Sequence, residues 1–260
     1  MKRTLAFMTL AACTLGALQS HAQDTTMKPE MTEFYTPVPP VVTPGKAAGE
    51  APSDAIVLFG GKDLSQWVSL KDTTKAAGWT INGDNFTVKK GTGDIRTKQS
   101  FQDYQLHIEW RIPQGITGSG QARGNSGIFL AAIGKGSAGG YELQVLDNYE
   151  NKTYVNGQAG SMYKQFAPLV NANRPPGQWN VYDVIWTAPR FQTNGKLLSP
   201  ARVTVFFNGI LVQNNTTLRG DTPYIGMPSY TAHGPAPIKL QDHGDPSEPI
   251  SYRNIWIRPL

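Results

Sequence analysis

Cysteine is almost absent: Cys13 is the only one in 260 residues. It falls inside an N-terminal run that reads as a secretory leader. Lys2 and Arg3 precede the apolar residues 5–18, and Ser20-His21-Ala22 before Gln23 fits cleavage by signal peptidase. Residues 1–22 are therefore expected to direct export to the periplasm or beyond. In a competing reading Leu10-Ala11-Ala12-Cys13 is a lipobox, with a lipid anchor on Cys13. A chain cleaved after Ala22 can form no disulfide, thiolate nucleophile or cysteine-ligated metal site. Its stability must come from an apolar core, for which its length suffices.

Other absences narrow the function. No later apolar run approaches the ~20 residues of a membrane-spanning helix. Charged residues make up only 17% of the chain, and the +5 formal charge is scattered without basic runs, which argues against nucleic acid as a partner. HExxH, G-x-S-x-G and a Walker phosphate loop are missing, so zinc-protease, α/β-hydrolase and P-loop readings fall away. No window carries a long, capped stripe of helical period.

Glycine and proline are plentiful, at 27 and 19 residues, and suit a loop-rich, all-β domain. Residues 23–53 hold Pro29, Pro37, Pro39, Pro40, Pro44 and Pro52 and read as an extended arm. From residue 54 to 260, strand and turn signals recur. Segments 55–59, 79–81, 86–88, 104–112, 127–131, 141–146, 179–186, 203–207, 210–213, 238–241 and 252–257 are predicted strands. Asn82-Gly83 and Asn208-Gly209 supply hairpin turns. Leu64 and Trp67 are assigned to a short turn, and residues 187–200 to a surface loop. Regular strand spacing without intervening helices predicts an antiparallel jelly-roll sandwich of two sheets.

Within that frame Tyr141-Glu-Leu-Gln-Val145 is the most informative stretch. Tyr141, Leu143 and Val145 alternate with Glu142 and Gln144, so an acid and an amide share one strand face. That face is either a site or an exposed sheet surface. Segment 104–112 likewise sends Gln105, His107, Glu109 and Arg111 to one face. They would join Glu142 in one concave surface if the strands adjoin, or form cross-strand ion pairs in solvent. Asn125 sits in the glycine-framed turn Gly124-Asn-Ser-Gly127, while Gln158 and Tyr163 flank a second loop with sugar-binding side chains. Gln241-Asp242-His243-Gly244 offers an imidazole for acid and base work near neutral pH. Asp147, Asp242 and Asp245 could instead hold calcium, although their spacing matches no EF-hand.

Taken together, these motifs resemble the 3-keto-disaccharide hydrolase domain, also called domain of unknown function 1080. The resemblance rests on Leu58-Phe-x-Gly-Lys-Asp-Leu64, Gly91-Thr-Gly-Asp-Ile95, Glu109-Trp110, Gly124-Asn-Ser-Gly-Ile128, Tyr141-Glu-Leu-Gln-Val-Leu-Asp147, Leu240-Gln-Asp-His-Gly244 and Arg253-Asn-Ile-Trp256. It implies a concanavalin-A-like fold, a small 3-keto-glycoside as substrate, and no cofactor. The Glu-x-Asp-x-x-Glu strand of glucanases sharing that fold is missing, so paired-carboxylate hydrolysis is not expected. The roles that follow are Glu142 as base, His243 as acid or its partner, Arg111 or Gln144 at an enolate, and Glu109 orienting Arg111. Gln144, Asn125, Gln158, Tyr163, Gln241 and Asp242 are expected to bind sugar. A non-catalytic lectin-like module and a calcium-dependent adhesion module remain alternatives on the same fold.

Overall fold

The computed structural model describes residues 26–134 and 139–260. Residues 1–22, expected to be a leader, and Cys13 within them lie outside the described residues. The chain forms two units, the first ending at Val41 and the second spanning Val42–Leu260. In the first, Pro29–Thr32 makes one 3-10 turn. Residues 42–53, read from sequence as arm, belong to the second unit.

The second unit is an antiparallel sandwich. In its larger sheet the strands run β13 (Ile210–Thr217), β12 (Arg202–Phe207), β9 (Trp179–Thr187), β6 (Tyr104–Arg111), β15 (Ser251–Pro259), β4 (Asn85–Thr87) and β3 (Thr80–Asn82); β1 (Ile56–Phe59) also pairs with β15. The smaller sheet runs β2 (Trp67–Ser69), β5 (Ile95–Thr97), β14 (Lys239–Leu240), β7 (Ser126–Phe129) and β8 (Glu142–Val145). A separate two-stranded ribbon joins β10 (Arg190–Phe191) to β11 (Leu197–Ser199). Among the described residues there is no α-helix, as the missing helical periodicity requires.

Three features were not anticipated. Residues 187–200 are not plain loop but carry the β10–β11 ribbon, Trp67 opens a strand, and Ile95–Thr97 forms β5. Strands of two or three residues display little alternation, and without a turn signal such as the Asn82-Gly83 pair between β3 and β4 only pairing reveals them. The Asn208-Gly209 hairpin is as expected: both residues have positive φ, 52° and 79°, which suits the right-handed twist of the flanking strands.

Tyr104, Leu106, Ile108 and Trp110 of β6 enter one core with Ile128, Leu130, Leu143 and Val145 from the smaller sheet. Fully burying each such side chain is worth ~1.5–3 kcal/mol. Three tyrosines from the larger sheet cross this core and use their hydroxyls to satisfy the smaller one. Tyr182 donates to the Gln144 carbonyl at 2.8 Å, Tyr104 to the Leu130 carbonyl at 2.6 Å, and Tyr252 meets Ser126 Oγ at 2.8 Å. A buried phenol needs such a partner. These bonds also fix which face of β8 looks inward, and leave Glu142 and Gln144 on the far side.

Candidate active site

Strand alternation places a row of side chains across the outer face of the smaller sheet. Lys239 pairs with Phe129 and Phe129 with Glu142; one step along, Gly127 pairs with Gln144. Loops cover this face, so β8 is buried on both sides: Glu142 is 6% and Gln144 1% exposed. The exposed-sheet alternative for this strand is thereby removed.

Above the row lies a pocket of about 320 Å³ lined by Asn125, Phe129, Glu142, Gln144, Tyr163, Thr222, Tyr224, Gln241 and His243. Six of the residues singled out from sequence thus meet in one cavity: Glu142, His243, Gln144, Asn125, Tyr163 and Gln241. Burial raises the Glu142 pKa from 4.5 to about 8, opposed by nearby Lys239 and reinforced by Asp94. A carboxylate in such surroundings is a stronger base than a solvated one.

Several contacts fix the geometry. The Glu142 amide donates to Thr222 Oγ1 at 3.1 Å. Gly127 makes room for the carboxylate: a Cβ there would stand 2.6 Å from Glu142 Oε1. Gln144 Nε2 donates to Asn125 Oδ1 at 2.9 Å, and Asn125 Nδ2 to the Gln121 carbonyl at 2.8 Å. This chain of amides leaves Gln144 Oε1 buried without a partner among the described residues, as is Gln241 Oε1. Two orphaned acceptors in one pocket are suited to donor groups of a ligand, because leaving them dry is costly. Tyr163 meets Tyr154 hydroxyl to hydroxyl at 2.6 Å, and burial raises its pKa, so it remains a protonated donor. His243 Nδ1 stands 3.3 Å from Asp245 Oδ2, a carboxylate that can steady an imidazolium.

Lys239 was missed in the sequence. It is fully buried, with Nζ 3.4 Å from Asp94 Oδ2 and 3.3 Å from the centre of the Phe129 ring. Burial pushes the lysine pKa down and the Asp94 pKa up, each opposed by the other's charge. The available signal was a lone lysine between Ile238 and Leu240 in a short apolar strand, a place that lysine rarely occupies without a partner.

Four sequence-derived assignments need correction or relocation. Glu109 and Arg111 do not reach the pocket. They stand on β6, in the other sheet, on the face opposite the core, because Trp110 between them points inward. Arg111 stacks over Trp179 at 4.5 Å. Glu109 accepts from Arg253 Nε at 2.6 Å and Asn254 Nδ2 at 2.9 Å, so it orients those groups and not Arg111. Asp242 is outside the pocket lining; it accepts from the Gly93 amide at 3.0 Å and braces the loop after β14. Gln158 lines a separate groove with Asn148, Asn151 and Asn171.

The three aspartates considered for calcium have separate partners. Asp147 pairs with Arg123 at 2.7 Å, Asp245 with His243, and Asp242 with Gly93. Among the described residues no group of three or more His, Cys, Asp or Glu is arranged to hold a metal, and no helix is long and apolar enough to cross a membrane.

Residues 54–258 match the sequence profile of the 3-keto-alpha-glucoside-1,2-lyase-like domain. A protein from Parabacteroides distasonis ATCC 8503, described as a "putative glycosyl hydrolase", is 58% identical, with a TM-score of 0.84 over 91% of this chain and 98% of its own. Two further proteins of that organism, named in the same way, share the fold at 19% and 22% identity. Their TM-scores are 0.58 and 0.56; they cover 80% and 79% of this chain, and 94% and 99% of their own. No curated protein matches the chain.

Proposed function

The chain belongs to the 3-keto-alpha-glucoside-1,2-lyase-like family of carbohydrate-active proteins, and from that membership and the chemistry of the pocket we propose that it cleaves 3-keto-glycosides by elimination. The observation carrying this reading is one buried glutamate, poised at a pKa of about 8, in a pocket that also holds an imidazole and two unpaired amide oxygens.

A ketone at C3 acidifies the C2 proton. Glu142 takes that proton, and the C2–H electron pair forms the enolate through C3. The enolate then collapses to a C1–C2 double bond, expelling the C1 oxygen, which receives a proton from His243. In the hydration step His243 takes one proton from water as the hydroxide adds to C1, and Glu142 returns its proton to C2, which completes net hydrolysis and restores both groups; release before hydration gives a lyase product. A base acts best with a pKa near the working pH. Donors at the enolate oxygen stabilise charge that exists only along the reaction path. The Tyr163 hydroxyl is suited to that task; the Gln144 amide already donates to Asn125 Oδ1 and the Val145 carbonyl, so Gln144 contributes its Oε1, which with Gln241 Oε1 accepts from sugar hydroxyls. Arg111, on the other sheet, has no part in it.

Proton NMR in deuterated water tests the proposal, with a 3-keto-glucoside beside its unoxidised parent. Loss of the C2 proton signal together with release of the C1 substituent, for the keto sugar alone, is the expected result. Binding without turnover would make the protein a lectin-like module. Cleavage of the unoxidised sugar would make it a conventional glycosidase. The basic, apolar and small-residue pattern of residues 1–22 supports placing this chemistry outside the cytoplasm, a reading that cell fractionation tests.

A further inference from the structure

One side of the pocket mouth is built differently from the rest. Residues 221–229 form a loop whose base is tied down: the Asp221 amide donates to the Ser229 carbonyl at 2.9 Å and the Thr222 amide to the Gly140 carbonyl at 2.7 Å. Gly220 permits the closure, since a Cβ there would lie 2.3 Å from the Ser229 backbone. Thr222 is also the group that receives the Glu142 amide, so the loop and the catalytic strand share an anchor.

The tip of this loop is apolar and open. Tyr224, Ile225 and Met227 are 67%, 84% and 79% exposed. Tyr224 lines the pocket, and its ring is held 4.4 Å from Lys164 Nζ. Scattered surface hydrophobes need no explanation, but three within four residues beside a polar cavity do.

From this juxtaposition we propose that the loop tip is the binding site for the leaving group, and that the leaving group is an apolar, aromatic aglycone and not a second sugar. The inference rests on the elimination reading and specifies its substrate. The Pro-Tyr-Ile-Gly-Met-Pro sequence of the tip offers one side-chain hydroxyl. A second sugar seated there would lose water from its hydroxyls and find few partners, which is costly. An aryl group would lose nothing of that kind and would cover apolar surface that is otherwise wet. Tyr224 gives it a ring to lie against, and the pliant Met227 side chain accommodates aglycones of different outline.

The test compares a 3-keto phenyl glucoside with a 3-keto disaccharide in the wild-type protein and in an Ile225→Ser/Met227→Ser variant. Aryl leaving groups depart faster intrinsically, so the informative quantity is the change in the ratio of kcat/KM values between proteins. The ratio of aryl to disaccharide is expected to fall about tenfold in the variant. An unchanged ratio overturns the proposal. If neither keto sugar turns over, the elimination reading has failed, and calorimetry with phenyl and methyl 1-thioglucosides decides this one separately. A phenyl preference that drops about tenfold in the variant sustains the aglycone site without the chemistry; equal binding of both in both proteins removes it.

Discussion

Two glutamates on outward faces of neighbouring sheets meet opposite fates. Glu142, on the smaller sheet, is pushed up to about 8 by burial, with only Lys239 and Lys164 opposing. For Glu109, on the larger sheet, burial also favours the neutral form, but hydrogen bonds from His107, Asn254 and Arg253 hold it at about 2. His107 in turn stands 2.7 Å from Asp183 and stacks on Trp256 at 5.2 Å. Asn254 and Trp256 both donate to the Gly49 carbonyl, at 2.9 and 2.8 Å. The second cluster is thus a clasp that holds the segment around Gly49 against the sheet. Partners, and not burial alone, decide whether a carboxylate becomes a base or a fastening.

The sharpest way to break this comparison is to neutralise each acid. Glu142→Gln keeps the shape of the pocket and removes the base, so kcat is expected to fall ~10³-fold, about 4 kcal/mol of barrier. Calorimetry should show sugar affinity within a few-fold of wild type. Glu109→Ala should do the reverse. It removes the carboxylate that Arg253, Asn254 and His107 share, leaving Arg253 to Asp84 and His107 to Asp183, with an expected loss of about 2–3 kcal/mol in a denaturant melt and unchanged kcat per folded molecule. Both variants losing only stability would end the assignment of Glu142 as base.

Smaller effects appear as pH dependence. Turnover should rise with pH and level off above about 8, as Glu142 ionises. Lys239→Met withdraws the opposing charge, so this limb moves to higher pH, with a roughly tenfold loss of rate at pH 7. The same raised pKa makes the Glu142 contribution to stability complete below 4.5 and lost as pH rises through about 8. Glu109 is the mirror case: its contribution is present above 4.5 and lost as pH falls through about 2. His107, lowered by burial but raised to about 9 by Asp183 and Glu109, stabilises fully below 6.5 and loses that contribution as pH rises through 9. Asp183 is 42% exposed, so Asp183→Asn should cost only about 1 kcal/mol at pH 7 and flatten the melt between pH 6.5 and 9.

Alternation made much of this legible. The inward set of β6, the inward set of β8 and the Asn208-Gly209 hairpin all follow from a period of two, and so does the shared outward face of Glu142 and Gln144. What alternation cannot convey is the sheet to which a strand belongs. Arg111 and Gln144 alternate alike with apolar neighbours in sequence, yet β6 and β8 lie in different sheets with their outer faces turned apart. Likewise, Asp242 and His243 are adjacent, but consecutive residues leaving a strand diverge. His243 reaches the pocket while Asp242 turns back to Gly93. Lys239 escaped notice although segment 238–241 reads as a strand, because its meaning lies in its partners, Asp94 and the Phe129 ring, which come from other strands and loops.

Arg111→Ala sharpens the comparison at its weakest point. The guanidinium lies over Trp179, its antiparallel partner across β9, and Arg253 approaches that ring as well, at 4.2 Å. Two cations lie against one ring, so removing either leaves the ring stacked on the other. The expected cost is below about 1 kcal/mol in a thermal melt, with kcat, KM and the pH profile unchanged. A tenfold loss of kcat would mean that the outer face of the larger sheet takes part in turnover. The pairing of a reactive acid on one sheet with a fastened acid on the other would then have to be reversed.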